Sequence, residues 1–208
     1  MLAYQVREED SAVLENADQR VVMHGLTWTD YEKLLDIRGD RPGVRIYFLE
    51  GDLEIMSPSD RHEWYKKTLA RLVEAYADEI GLELNGYGSL TMRQAPRERG
   101  AEPDECYVIG RSGGRPHLAI EVVWTSGGLD KLAIYSGLGV RELWICEEAK
   151  KKPHISVFTL RRGRYVRSPR SRVLPGLDLE LVTRCLQVPS QSEAVRRLRA
   201  ALRRGRAT

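Results

Sequence analysis

Residues 101–143 read AEPDECYVIGRSGGRPHLAIEVVWTSGGLDKLAIYSGLGVREL, and this stretch decides the fold. Two short apolar runs, Cys106-Tyr107-Val108-Ile109 and Leu118-Ala119-Ile120-Glu121-Val122-Val123-Trp124, are bounded by Gly and Pro, which marks them as strands. The link between them, residues 110–116 (GRSGGRP), is of the glycine-rich kind that joins a hairpin, so they are neighbouring antiparallel strands. Asp104 opens the first run. Glu121 lies inside the second with apolar residues on both sides. A strand covered on both faces reads as a continuous apolar run, and a carboxylate within it costs several kcal/mol unless paired, protonated or bound to a cation.

The next segment offers a partner. After Thr125-Ser126-Gly127-Gly128, the run LDKLAIYSGLG places Leu129, Leu132 and Ala133 at helical spacing and carries Lys131. Two carboxylates and a lysine converging at strand ends form a divalent-metal and phosphate site. Hard cations take oxygen ligands, and an ammonium stabilises charge developing on phosphate. The competing reading is structural: a buried ion pair of Glu121 with Lys131 or an arginine, and Asp104 as a turn residue after Pro103.

Pro103-Asp104, Glu121 on the next strand and a following lysine resemble the active-site pattern of the PD-(D/E)XK nuclease superfamily. The longer stretches LEIMSPSDRHEW, GAEPDECYVIG, AIEVVWTSGGLDKLAIYSGLGVRELWI and LPGLDLEL are similar to the Uma-type restriction endonucleases, from about residue 26 to about residue 202. The resemblance implies a restriction-endonuclease-like α/β (α+β) fold: a mixed β-sheet core flanked by helices, here with an extra antiparallel hairpin. It also implies a metal-dependent endonuclease acting on DNA. Asp104 and Glu121, with the Val122 carbonyl, then hold Mg2+, or Mn2+ in its place. The superfamily pattern wants Glu-x-Lys on one strand, but Val123 stands two after Glu121, so the resemblance assigns the catalytic ammonium to Lys131 on the following helix. Tyr135, one turn further on the same face, lines such a site, although a packed core tyrosine is its commoner role.

The family pattern also places a histidine after Ser-Pro-Ser, which His62 matches as a further catalytic candidate. The simpler role for His62 and Glu63 is an exposed first-turn pair, and Glu63 needs no more than the helix dipole. The rival function is a catalytically inactive nuclease-fold protein serving as a DNA-binding or assembly module. No GxSxG, HExxH or GxxxxGK[ST] occurs, so another hydrolase class and ATP dependence are disfavoured.

With 208 residues and 42% hydrophobic content, the chain can bury a full core. No apolar stretch approaches transmembrane length and the N-terminus is acidic, so a cytoplasmic protein without membrane contact is expected. Cys106, Cys146 and Cys185 are far apart and form no CxxC pair, which argues for buried small hydrophobes. The net charge is +3, but the tail from Arg196 carries six arginines and no acid; without it 27 basic residues face 30 acidic ones. Composition therefore does not support a uniformly basic nucleic-acid face.

Residues 1–25, including Val13-Leu14 and Val21-Val22-Met23, show little periodicity and are expected to form an arm able to pair with another subunit. Residues 26–189 form the nuclease domain and 190–208 a C-terminal helix with the arginine-rich tail. Within the domain, Thr29 caps a short helix closed by Gly39, and Arg45–Leu49 with Leu53–Met56 form a hairpin around Glu50-Gly51-Asp52. A long helix starts at Ser57-Pro58-Ser59-Asp60, with Trp64, Leu69, Leu72, Val73, Tyr76 and Ile80 as its stripe and Gly81 at its end. Strand candidates follow at 82–84 and 89–92, Leu90 and Met92 sharing a face. Arg93, Arg97 and Arg99 are read as solvated loop charges rather than phosphate contacts. Residues 141–146 read as a central strand, 155–160 and 163–168 as a hairpin, and 173–181 as a final extended segment. Ser190 and Glu193 form a capping box for a helix with the face Val195, Leu198 and Leu202. That face, with the need to cut two strands, predicts a homodimer or higher homo-oligomer.

Overall fold

The central hairpin forms as its composition requires, and a computed structural model describes it within residues 17–41, 43–88, 90–111, 113–124, 127–149 and 152–206. The chain runs β1 (Gln19–Met23), α1 (Trp28–Arg38), β2 (Arg45–Leu49), β3 (Asp52–Ser57), α2 (Asp60–Ile80), β4 (Leu84–Gly86), β5 (Met92–Gln94) and β6 (Arg99–Ala101). It continues through β7 (Glu105–Ile109), β8 (Leu118–Val123), α3 (Lys131–Leu138), β9 (Glu142–Ala149), β10 (Lys152–Arg161), β11 (Arg164–Ser168), α4 (Leu179–Leu186) and α5 (Gln191–Arg206). The result is a mixed α+β fold, as expected.

One sheet, ordered β11-β10-β9-β8-β7-β4, is mixed: β8 and β9 run parallel through the crossover helix α3, and its other neighbours are antiparallel. A second sheet, β1-β3-β2-β6-β5, is antiparallel throughout. The hairpin β2–β3 lies within it. The sequence reading supplied no second sheet, because the pairings that build it, β1 with β3 and β6 with β2, join segments remote in the chain.

Three apolar clusters hold the layers. Side chains alternate along a strand, so Leu118, Ile120 and Val122 face α2, α4 and α5, whereas Ala119 and Glu121 face the other way. On that other side Ala119 and Leu143 meet Ile134, Tyr135 and Leu138 of α3 and Tyr47, Met56, Met92 and Ala101 of the second sheet. Tyr31 and Leu35 of α1 cover the far face of the second sheet over Ile46, Phe48 and Leu53. Both faces of the second sheet are thus occupied, and this buries the acids described below.

Several local expectations shift. Thr27, not Thr29, caps α1: its hydroxyl accepts from Asp30 N, and Asp30 reaches back to Thr27 N, closing a capping box two residues earlier. Trp64 stays 41% exposed, outside the α2 stripe that Leu69, Leu72, Val73 and Tyr76 bury. The fourth and fifth strands lie at 84–86 and 92–94 rather than 82–84 and 89–92, and Ser89 falls outside the described residues. Residues 173–181 are not an extended segment. Glu142 accepts from Arg172 N and Val173 N, the Tyr76 hydroxyl donates to Pro175 O, and Asp178 then caps α4.

Residues 19–23 of the expected arm pair with β3, while Val13-Leu14 lie outside the described residues. Ser190 accepts from Glu193 N at the start of α5, as read. However, α2 and α4 cover the apolar face of α5, so that face is not left for a second subunit. The three cysteines are buried and free. Among the described residues no helix is long and apolar enough to cross a membrane.

Candidate active site

The register Glu105↔Ile120 between β7 and β8, continued by one residue, sets Asp104 opposite Glu121. Opposed residues share a face of the sheet with Cβ atoms roughly 5 Å apart, so two distant acids become neighbours. Asp104 Oδ2 accepts from Val122 N at 2.8 Å, which fixes the carboxylate against β8. Both acids are 1% exposed.

Glu121 points into the layer between the sheets, where tyrosine hydroxyls donate to both of its oxygens: Tyr135 of α3 to Oε1, and Tyr47 of β2 to Oε2 at 3.0 Å. Burial pushes the Glu121 carboxyl up to about 7, and the Asp104 charge adds to the rise. Lys131 and the two hydroxyls oppose it without cancelling it. Burial likewise raises both tyrosines well above their usual value, so they remain protonated donors.

Lys131 opens α3, whose cap is Asp130. The buried face of this helix is Lys131, Ile134, Tyr135 and Leu138 rather than the Leu129, Leu132 and Ala133 set expected from spacing. The lysine turns inward because carboxylates await it. Its Nζ stands over the Tyr47 ring, 3.4 Å from Glu54 Oε1. Burial lowers its pKa, against the pull of Glu121, Glu54 and Asp104. Glu54 is itself fully buried and accepts from Arg20 Nε at 3.1 Å and from Leu129 N at 2.6 Å.

His62 is buried, not an exposed first-turn residue. Its Nδ1 lies 3.1 Å from Asp18 Oδ2 and its Nε2 2.8 Å from Asp104 Oδ1, so one imidazole spans two carboxylates. Burial opposes the imidazolium, but the two aspartates outweigh it and raise His62 to about 9. Asp18 also accepts from Ser59, the N-cap of α2, which anchors β1's leading residue to the start of that helix. Glu63 stays at the surface, beside Lys66 and 3.7 Å from Arg45.

Arg45 Nε lies 3.4 Å from Asp104 Oδ1. Both it and His62 approach this oxygen closely enough as ions yet out of line as hydrogen bonds, and among the described residues no donor is properly directed at Oδ1. Arg45 also lines a cleft of about 290 Å3 with Arg38, Thr91 and Glu102. Arg99 pairs with Glu50 and Arg97 donates to Gly137 O, in keeping with structural roles for these loop charges.

The structure therefore gathers Asp104, Glu121, Lys131 and His62 in one buried cluster and adds Asp18, Arg45, Tyr47 and Glu54. Among the described residues no three His, Cys, Asp or Glu side chains form a metal cage. Mg2+ retains several waters and is held by one or two carboxylates, so Asp104 and Glu121 meet its needs. The Glu121 carboxyl, held up at about 7, fits a missing positive charge; burial opposes an ionised Asp104, but His62 and Arg45 outweigh it and hold that carboxyl below the usual range. Glu54, between Leu53 and Ile55, reads in sequence as an ordinary alternating polar position, and Asp18 carries no signal at all.

A mixed sheet with a parallel β8–β9 crossover, and opposed acids just before β7 and on β8, is consistent with the restriction-endonuclease-like class. The chain belongs to the Uma2 family, described as "Putative restriction endonuclease", whose model matches residues 28–190. No curated protein matches the chain.

Proposed function

We propose that this protein is a metal-dependent endonuclease that hydrolyses DNA phosphodiester bonds at the Asp104–Glu121 pair. The observation that carries the reading is the register that sets buried Asp104 opposite buried Glu121, whose carboxyl burial and Asp104 hold up at about 7. Asp104 and Glu121 would hold Mg2+ or Mn2+, with the Val122 carbonyl beside them. When bound, the ion supplies Lewis acidity and charge neutralisation at the phosphodiester. Tyr47 and Tyr135 aim Glu121, His62 and Val122 N aim Asp104, and Lys131 faces the charge that develops on phosphate. His62 acts through Asp104 and is a positioning residue.

Cleavage of supercoiled plasmid and of single-stranded DNA in Mg2+, Mn2+ and EDTA tests this. Asp104→Ala and Glu121→Ala are expected to lower metal-dependent cleavage by roughly a thousandfold. Undiminished cleavage by a folded Glu121→Ala protein would refute the assignment. A homodimer would bring one site to each strand of a duplex, through a surface other than the apolar face of α5; light scattering reads the oligomeric state.

A second reading is favoured by the charge balance. Asp18, Glu54, Asp104 and Glu121 face Arg20, Arg45, His62 and Lys131, so four acids meet four bases without an added ion. In that reading the cluster is the ionic core of an inactive nuclease fold that binds DNA or assembles. Mg2+ and Mn2+ then leave the melting temperature unchanged, whereas a metal site raises it with metal concentration.

A further inference from the structure

We propose that strands β10 and β11, with the loop after them, bind the phosphate backbone of a nucleic acid. Residues 149–177 hold nine Lys and Arg and no Asp or Glu, whereas the whole chain is only +3; the remaining residues sum to −6. In sequence, the excess charge of the chain is therefore carried by this segment as much as by the C-terminal tail.

Pairing separates the two. In the tail, Arg196 and Arg197 are bound to Glu193, and Arg199 and Arg203 to Asp78 and Glu79. The guanidinium groups of Arg161, Arg170 and Arg172 have no carboxylate partner among the described residues, and that of Arg167 contacts Ser156 and His154. A basic surface left open attracts polyanions; one closed by its own acids does not.

These four arginines line one cleft of about 290 Å3, which holds no acid. At roughly 30 Å3 per water it takes about ten waters, and so a hydrated phosphate group. Thr159 also lines it, and its hydroxyl has no hydrogen-bond partner among the described residues. Lysine or arginine on an edge strand also blocks strand-to-strand association. That role suffices for Arg164 on β11 but not for Arg170 and Arg172, which lie beyond the strand.

Position relates this surface to the acids. Glu121, Ile145 and Ser156 occupy one row across β8, β9 and β10, and Arg167 Nη2 lies 3.3 Å from Ser156 Oγ. At about 4.8 Å per strand the row puts the Arg167 guanidinium roughly 10 Å from Glu121 on that face, whereas Thr159 and Val166 alternate onto the opposite face with Ile155 and Val157. The cleft therefore lies at the sheet edge and turned from the acids, and the binding it offers does not rest on the nuclease reading.

The test is fluorescence anisotropy of a labelled duplex and a labelled single strand with the full-length protein in EDTA, between about 50 and 200 mM salt, the range over which backbone contacts report. Arg170→Gln/Arg172→Gln is expected to weaken binding by about tenfold or more at the lowest salt. It should also flatten the log–log salt slope by about 0.9 for each phosphate no longer neutralised, with an unchanged melting temperature. Arg196→Gln/Arg197→Gln, the same change of charge, is expected to leave affinity within about twofold. Equal weakening in the two pairs, or an unchanged slope in the first, would overturn the proposal. So would displacement by inorganic phosphate beyond that by chloride of equal ionic strength, since the cleft would then serve a free phosphate. Because EDTA removes any metal, the assay reads binding apart from hydrolysis: absent binding refutes this proposal alone, and the hydrolytic reading stands or falls on the cleavage assay with metal.

Discussion

Tyr135 on the crossover helix donates its hydroxyl to Glu121 on the strand that the helix leaves, fourteen residues earlier. The contact locks the βαβ connection to its most exceptional residue. A helix packed on a sheet ordinarily contributes apolar side chains; here it supplies a proton donor to a buried acid.

Tyr135→Phe removes that donor and keeps the ring. The hydroxyl lowers the Glu121 pKa, so its loss is expected to raise the carboxyl further above about 7, read by infrared titration of the carboxyl band. Stability should fall by about 1–3 kcal/mol, the cost of leaving a buried acceptor unmet. If the metal reading holds, Mn2+ affinity falls roughly 10–100-fold, as when other groups that orient a ligand are removed.

His62 gives the metal-free protein an alkaline limit. Its pKa rises from 6.5 to about 9 on folding, so its contribution is fully present below pH 6.5 and is lost as pH rises through about 9. The scale is about 3 kcal/mol between those values. Urea midpoints in EDTA across this range should fall for the wild type, and His62→Gln should flatten the trend. A wild-type curve already flat from pH 6.5 to about 9 would mean that the imidazole carries no charge.

Gly128 packs against the ion pair beside Lys131. A Cβ there would lie 2.7 Å from Glu54 Oε2 and 3.1 Å from Arg20 Cζ. Gly128→Ala is expected to cost about 1–3 kcal/mol, through packing rather than backbone strain. An unaltered melting temperature would show instead that the Arg20–Glu54 pair moves aside freely.

Asp178→Ala tests the cap of α4, where the carboxylate accepts from Glu180 N at 2.9 Å and Leu181 N at 3.1 Å. The expected cost is about 1 kcal/mol, a drop of roughly 2–4 °C for a domain of this size. Glu180→Ala, at a side chain 91% exposed, serves as the control and should change little.

What the sequence disclosed follows from range. The hairpin around 110–116, the helix at 60–80 and the crossover to β9 rest on local periodicity, and Asp104, Glu121 and Lys131 fall within thirty residues of one another. Asp18 and His62 are separated by 44 residues, and Glu54 and Lys131 by 77, so no local pattern joins them. Glu54 was hidden by its own alternation: between Leu53 and Ile55 it reads as an outward polar position, and only the second layer of structure turns that outward face inward. The helix α4 was missed because Leu177, Leu179 and Leu181 alternate like a strand, while Val182, Cys185 and Leu186 complete a helical stripe only once Asp178 is seen as its cap.

The hold of Asp18 on His62, and of Arg20 on Glu54, bears on where the chain can be cut. A fragment trimmed to the family match at 28–190 would discard both of these N-terminal clasps, together with the α5 residues Ala194 and Leu198 that close the far side of α2. Such a piece would keep Asp104, Glu121 and Lys131 while losing the parts that hold them still. The smallest self-sufficient unit is therefore larger than the stretch by which relatives are recognised.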